Sequence, residues 1–134
     1  MLTLQRGEVS IEFIVLICLI LIIFTFMITI IGLKNKDISE SMIYSDAQRI
    51  ADTIASEINT ASRIEGYYRE FEIPEKIAGI ENYSVVINTD FRFVQVKWDN
   101  KNKISNIVTE NVSGTISRGL NKIRNEGGVI KIES

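Results

Sequence analysis

The stretch EVSIEFIVLICLILIIFTFMITII, residues 8–31, decides how the rest of the chain is read. From Phe13 to Ile31 it holds nineteen residues without a charge, interrupted only by Cys18, Thr25 and Thr29 among Ile, Leu, Val, Phe and Met. As a helix rising about 1.5 Å per residue this run would cover about 28 Å, close to the hydrocarbon thickness of a bilayer. Fifteen of the nineteen are Ile, Leu, Phe or Val, which at about −0.3 to −0.6 kcal/mol each favours insertion by about 4 to 9 kcal/mol. The run is longer than the apolar region of a secretory signal, and Gly32-Leu33-Lys34-Asn35-Lys36 follows it without a small-x-small cleavage site. The segment is therefore expected to enter a membrane and to stay on the chain. Charge does not assign its orientation, because Arg6 lies on one side and Lys34 and Lys36 on the other.

The rest of the 134 residues is polar, and the net charge is −2. Lys and Arg are not clustered with interleaved aromatics, so no footprint for nucleic acid is expected. The chain has no histidine and one cysteine, Cys18, inside the apolar run. A disulfide framework or a Cys/His metal centre therefore has no residues to be built from within one chain. No Gly-rich phosphate loop occurs, and the acidic residues around Glu70 and Glu72 alternate with apolar ones as on a solvated face. Neither an enzyme nor a cofactor is expected.

Beyond the run, residues 37–64 read DISESMIYSDAQRIADTIASEINTASRI. Ile43, Ala47, Ile50, Ile54, Ile58 and Ala61 recur at spacings of three and four, which predicts a helix with one buried stripe. Asp37 and Glu40 have the spacing of a capping box, so a short break over 32–36 is one reading. One long helix with a weak point near Gly32 is the preferred one. Residues 65–82 contain Pro74, Gly66 and Gly79 and read as an irregular connection packed by Tyr67, Tyr68 and Phe71. Strands are predicted at 83–89, 91–98, 103–109 and 129–133, with turns at DNKN (99–102) and NEGG (125–128). Residues 115–124 fit a strand pair bent at Gly119 or a short helix, with strand preferred. The expected fold is α+β, a long N-terminal helix packed on a small head of four or five antiparallel strands.

Two acids, Glu8 and Glu12, stand at the mouth of the apolar run, directly after Arg6-Gly7. With Ser10 and Leu16 they form Glu-x-Ser-x-Glu-x-x-x-Leu, which resembles the class III signal peptide of archaeal type IV pilin-like proteins. That family has Gln where this chain has Glu8; the other three positions agree. The resemblance implies cleavage between Gly7 and Glu8 by a prepilin peptidase, so that residues 1–7 are a leader, 8–36 a membrane and filament-core helix, and 37–134 an amphipathic helix with an extracellular β-rich head. It also implies as partners a membrane assembly platform, an assembly ATPase and other pilin subunits. The product would be a surface filament for adhesion, with the chain as major or minor subunit.

The physical chemistry of the acids fits that scheme. Cleavage would create an ammonium on Glu8 one helical turn from Glu12, and a carboxylate desolvated among packed helices needs a partner of that charge. The plainer reading leaves Glu12 at the headgroup level of a single-pass protein. A monomeric membrane-anchored surface binding protein and an archaellin-like motility subunit are the alternatives at the level of function. Asn82-Tyr83-Ser84 and Asn111-Val112-Ser113 are candidate N-glycosylation sites on expected surface turns.

Overall fold

The computed structural model describes the backbone of residues 4–134 and the side chains of residues 10–134. One helix, α1 (Leu4–Arg63), precedes seven strands: β1 (Tyr68–Ile73), β2 (Tyr83–Asn88), β3 (Phe93–Trp98), β4 (Lys101–Asn106), β5 (Val112–Gly114), β6 (Gly119–Glu126) and β7 (Val129–Glu133). The fold is α+β. No break interrupts the helix at Gly32 and no new helix starts at Asp37. The chain divides into two compact units between Ser39 and Glu40.

In the first unit the apolar side chains have no cover. Every large one from Ile11 to Leu33 is exposed, from 39% at Ile17 to 67% at Phe26. The two threonines in this stretch hide their polarity within the helix: Thr25 Oγ1 donates to the Leu21 carbonyl at 2.8 Å and Thr29 Oγ1 to the Thr25 carbonyl at 2.9 Å. Hydroxyls satisfied in this way do not oppose a hydrocarbon surrounding. This helix is long and apolar enough to cross a membrane.

The second unit has its own core. The predicted stripe is buried at Ala47, Ile50, Ile54, Ile58 and Ala61 and half-buried at Ile43, and Ala51 and Ala55 widen it. It shares one apolar cluster with Phe71 and Ile73 of β1, Val94, Val96 and Trp98 of β3, Ile123 of β6, and Ile130 and Ile132 of β7. Alternation along β3 gives the inward set Val94, Val96, Trp98 and leaves Phe93 and Gln95 half-exposed.

The strands form two sheets rather than one, in the orders β1-β6-β7-β5 and β2-β3-β4. Three details depart from expectation. Residues 68–73 are a strand, not a loop: Phe71 and Ile73 point inward between exposed Glu70 and Glu72, and Pro74 stands just beyond the last ladder position, where a missing N–H costs nothing. Residues 115–118 are irregular, and the strand of this region begins at Gly119. The short β5 runs parallel to β7, so the head is not wholly antiparallel. The turns over 99–102 and 125–128 do close hairpins. Gly127 and Gly128 both have positive φ (62° and 87°), as a two-residue turn between β6 and β7 requires.

Polar ties fix the helix to both sheets. Asn125, buried in β6, donates from Nδ2 to the carbonyls of Ala61 (2.8 Å) and Ile64 (3.2 Å), which at the end of the helix otherwise accept only long main-chain bonds, from the Ile64 N–H (3.4 Å) and the Tyr67 N–H (3.3 Å). Its Oδ1 accepts from the Gly128 N–H at 2.9 Å. Asn59 holds the other sheet, accepting from the Val108 N–H at 2.8 Å and donating to the Asn106 carbonyl at 3.4 Å.

Two outcomes follow, both readable from the fluorescence of Trp98, the sole tryptophan, which is buried. Asn125→Ala leaves the two helix-end carbonyls only their long main-chain bonds from the Ile64 and Tyr67 N–H groups and orphans the Gly128 N–H, and denaturant titration of the chain in detergent should show a loss of about 1–3 kcal/mol. At Gly114 (φ 106°) a Cβ would lie 1.9 Å from the Ile132 carbonyl oxygen. Gly114→Ala should therefore detach β5, cost about 2 kcal/mol or more, and speed hydrogen exchange at the Thr115 amide, which donates to that carbonyl at 3.2 Å.

Candidate functional site

The sequence places its candidate site at the N-terminal end of α1. Arg6, Gly7 and Glu8 belong to the first turns of the helix, and their side chains lie outside the described residues. Ser10, Glu12 and Leu16 are described, and all three are exposed. Glu12 and Leu16, four residues apart, share one stripe, whereas Ser10 lies two residues before Glu12 and so on another face. Ile11, Val15, Leu16 and Leu19 line a shallow groove with Glu12, so the carboxylate sits within an apolar strip. Among the described residues no basic side chain stands within ion-pair distance of Glu12.

A carboxylate so placed has two favourable states. It is hydrated, at the level of lipid headgroups or beyond, or it meets a cation from another molecule when the strip around it is covered. The apolar neighbours make the second state selective: covering Ile11, Val15, Leu16 and Leu19 removes water from Glu12 in the same step.

The two glycosylation candidates stand on the head, directly before strands. Asn82 precedes β2 and Asn111 precedes β5, and both side chains are exposed. Main-chain bonds hold Asn111, whose carbonyl accepts from the Ile130 N–H at 2.8 Å. In the sequon at 82 the middle residue, Tyr83, is buried and its hydroxyl donates to the Pro74 carbonyl. Burial raises the pKa of that phenol, opposed by the Arg118 guanidinium above its ring.

One polar cluster on the head was not foreseen. Glu57, in the buried face of α1, accepts from the Tyr67 hydroxyl at 3.0 Å through Oε2 and pairs with Arg69 at 2.8 Å through Oε1. The hydrogen bond with Tyr67, and then the charge of Glu57, raise the pKa of Arg69 further. With both oxygens engaged, Glu57 ties the start of β1 to the helix. The signal for it was its position, seven residues beyond Ile50 and so on the buried stripe. Among the described residues no group of three His, Cys, Asp or Glu is placed to hold a metal ion.

Because Glu12 belongs to the first unit and the head's core is complete without it, Glu12→Ala should leave the thermal unfolding of the head, followed by Trp98, within about 1 °C of the parent. A shift of several degrees would mean that the strip around Glu12 supports the head. Compared with known proteins, the chain matches no family model, no curated protein and no solved structure.

Proposed function

We propose that the chain is a structural subunit, major or minor, of an archaeal type IV pilus-like surface filament used for adhesion. In this reading the precursor sits in the cell membrane through its apolar segment. A prepilin peptidase removes residues 1–7, and an assembly platform with its ATPase draws the mature chain into a polymer. What supports the reading is one coincidence: the Glu8-x-Ser10-x-Glu12 motif opens an apolar helix whose large side chains are all uncovered, and a head with a complete core of its own follows.

An uncovered helix of this kind needs an apolar surrounding, either lipid or other helices. In lipid the helices gain little from each other by the hydrophobic effect, so packing and polar contacts set how they associate. Glu12 then acts as the register element. Its desolvation is tolerated only where the ammonium on Glu8 of a neighbour lies alongside, and other axial steps leave the charge unpaired. The exposed Asn82 and Asn111 are, in the same reading, glycan acceptors on the outer surface.

Mass spectrometry of the native protein, from the membrane fraction and from sheared surface material, tests this. The expected N-terminal residue is Glu8 in both fractions, with the surface material polymeric. A chain starting at Met1, or found only as a membrane-held monomer when the assembly machinery is present, would leave the anchored binding protein as the better reading.

A further inference from the structure

The edges of the two sheets are not treated alike. Strand edges invite pairing with other chains, and proteins blunt them with charge, proline, short length or cover. β1 carries Arg69, Glu70 and Glu72 and runs into Pro74. β4 has its free side bonded by the helix, with Gln48 donating to the Ile104 carbonyl at 3.2 Å and Asn59 to that of Asn106. β5 has three residues. β2, Tyr83–Asn88, reads YSVVIN and has none of these devices.

The ladder fixes which of its groups are free. Trp98 pairs with Lys101 across a two-residue turn, and the Arg92 carbonyl accepts from the Ile107 N–H at 2.9 Å. Even-numbered residues of β3 therefore turn their main-chain groups to β4, and Phe93, Gln95 and Lys97 turn theirs to β2. Their partners are Asn88, Val86 and Ser84, which leaves Tyr83, Val85 and Ile87 facing outward. The Tyr83 N–H is used by the Glu81 carbonyl at 3.3 Å, but the N–H and C=O of Val85 and of Ile87 have no intramolecular partner among the described residues. Both ends of the strand are pinned. Arg118 donates to the Glu81 carbonyl and lies over the Tyr83 ring, and Asn88 Oδ1 accepts from the Phe91 N–H at 2.9 Å.

We infer that β2 is a pairing edge for β2 of a second copy of this chain, antiparallel about Val86, so that the two three-stranded sheets become one of six strands. In this register Val85 of each copy lies opposite Ile87 of the other, and the four free groups of each edge are all satisfied. The composition of the edge suits a second copy as occupant. With no charged residue on β2, self-pairing sets no like charges opposite each other, whereas the other long free edge, β1, carries Arg69, Glu70 and Glu72. Side chains agree. Half-buried Val85 and Ile87 meet on the inner face and continue the core, and Val86, 41% exposed, meets its own counterpart on the outer face. The contact is isologous, with a two-fold axis through Val86. It does not depend on the filament reading, since any membrane-held copy presents the same edge.

Disulfide trapping in the full chain tests this. With Cys18→Ser as background, Val86→Cys would put two thiols at a pair whose Cα atoms are about 4.5 Å apart, within the range a disulfide spans. Lys97→Cys on the neighbouring β3 and Leu120→Cys on β6 are exposed controls whose counterparts lie out of reach, and neither changes a residue of the sequon at Asn82. In detergent micelles under mild oxidation the Val86→Cys chain should form covalent dimer about ten-fold faster than either control, the gain expected of thiols held together rather than meeting by diffusion. Association through the apolar helices would raise all three rates together and leave their ratio near one. Equal rates, or no dimer from Val86→Cys while circular dichroism shows the fold intact, would overturn the proposal.

Discussion

The buried face of α1 between Ala47 and Ala61 is the constraint from which the head is built. It supplies seven of the eighteen buried apolar side chains, and residues of both sheets enter the same cluster with it, so neither sheet has a core of its own. The composition of that face matters as much as its polarity. Ile50, Ile54 and Ile58 give volume, while Ala47, Ala51, Ala55 and Ala61 keep the helix surface low enough for strands to come close. The polar ties of Asn59, Asn125 and Glu57 lie on or beside this face and fix how each sheet meets it. Buried polar groups that are fully partnered in this way specify one arrangement among the several that apolar packing alone would accept.

The same helix serves two surroundings without a change of backbone. From Phe13 to Ile31 it is apolar on all sides and uncovered; from Ile43 onward it is apolar on one side and covered. Secondary structure does not separate these regimes, since hydrogen bonds within a helix are satisfied in lipid and in water alike. What separates them is the angular spread of apolar residues. A full circle of them asks for a solvent or a set of neighbours, and a stripe asks for a sheet.

The difference bears on how much was legible in the sequence. The apolar run, the stripe and the hairpins at 99–102 and 125–128 are local patterns, and each is where its period or its turn residues put it. β1 was masked by Gly66, Pro74 and three aromatics, although Phe71 and Ile73 alternating with Glu70 and Glu72 was a strand signal. β5 has three residues and exists because Gly114 lets the Ile132 carbonyl approach, a tertiary fact without a local signature. The buried Asn121 and Asn125 run against the average preference of asparagine for the surface, and only their alternation with Ile123 along β6 hinted at their side of the sheet. At the candidate site the motif was legible because it is short and contiguous. The cation that Glu12 meets was not, because in the proposed reading it belongs to another molecule.

The cap that Asn125 sets on α1 has a consequence in time. The carbonyl of Ala61 is closed by a residue 64 positions further along the chain. A chain made from its N-terminus exposes the stripe of α1 long before β6 and β7 exist to cover it, and β1 likewise waits for its ladder partner β6. The β2–β3, β3–β4 and β6–β7 pairs join consecutive strands and can close locally, whereas the β1–β6 ladder and the cover of the helix stripe are non-local and carry the slower, loop-closure part of folding. The apolar segment, whose helix needs no partner from later in the chain, can settle in a bilayer first. The membrane part is then placed while the head is still unmade, and the arrival of β6 and β7 decides when the head is complete.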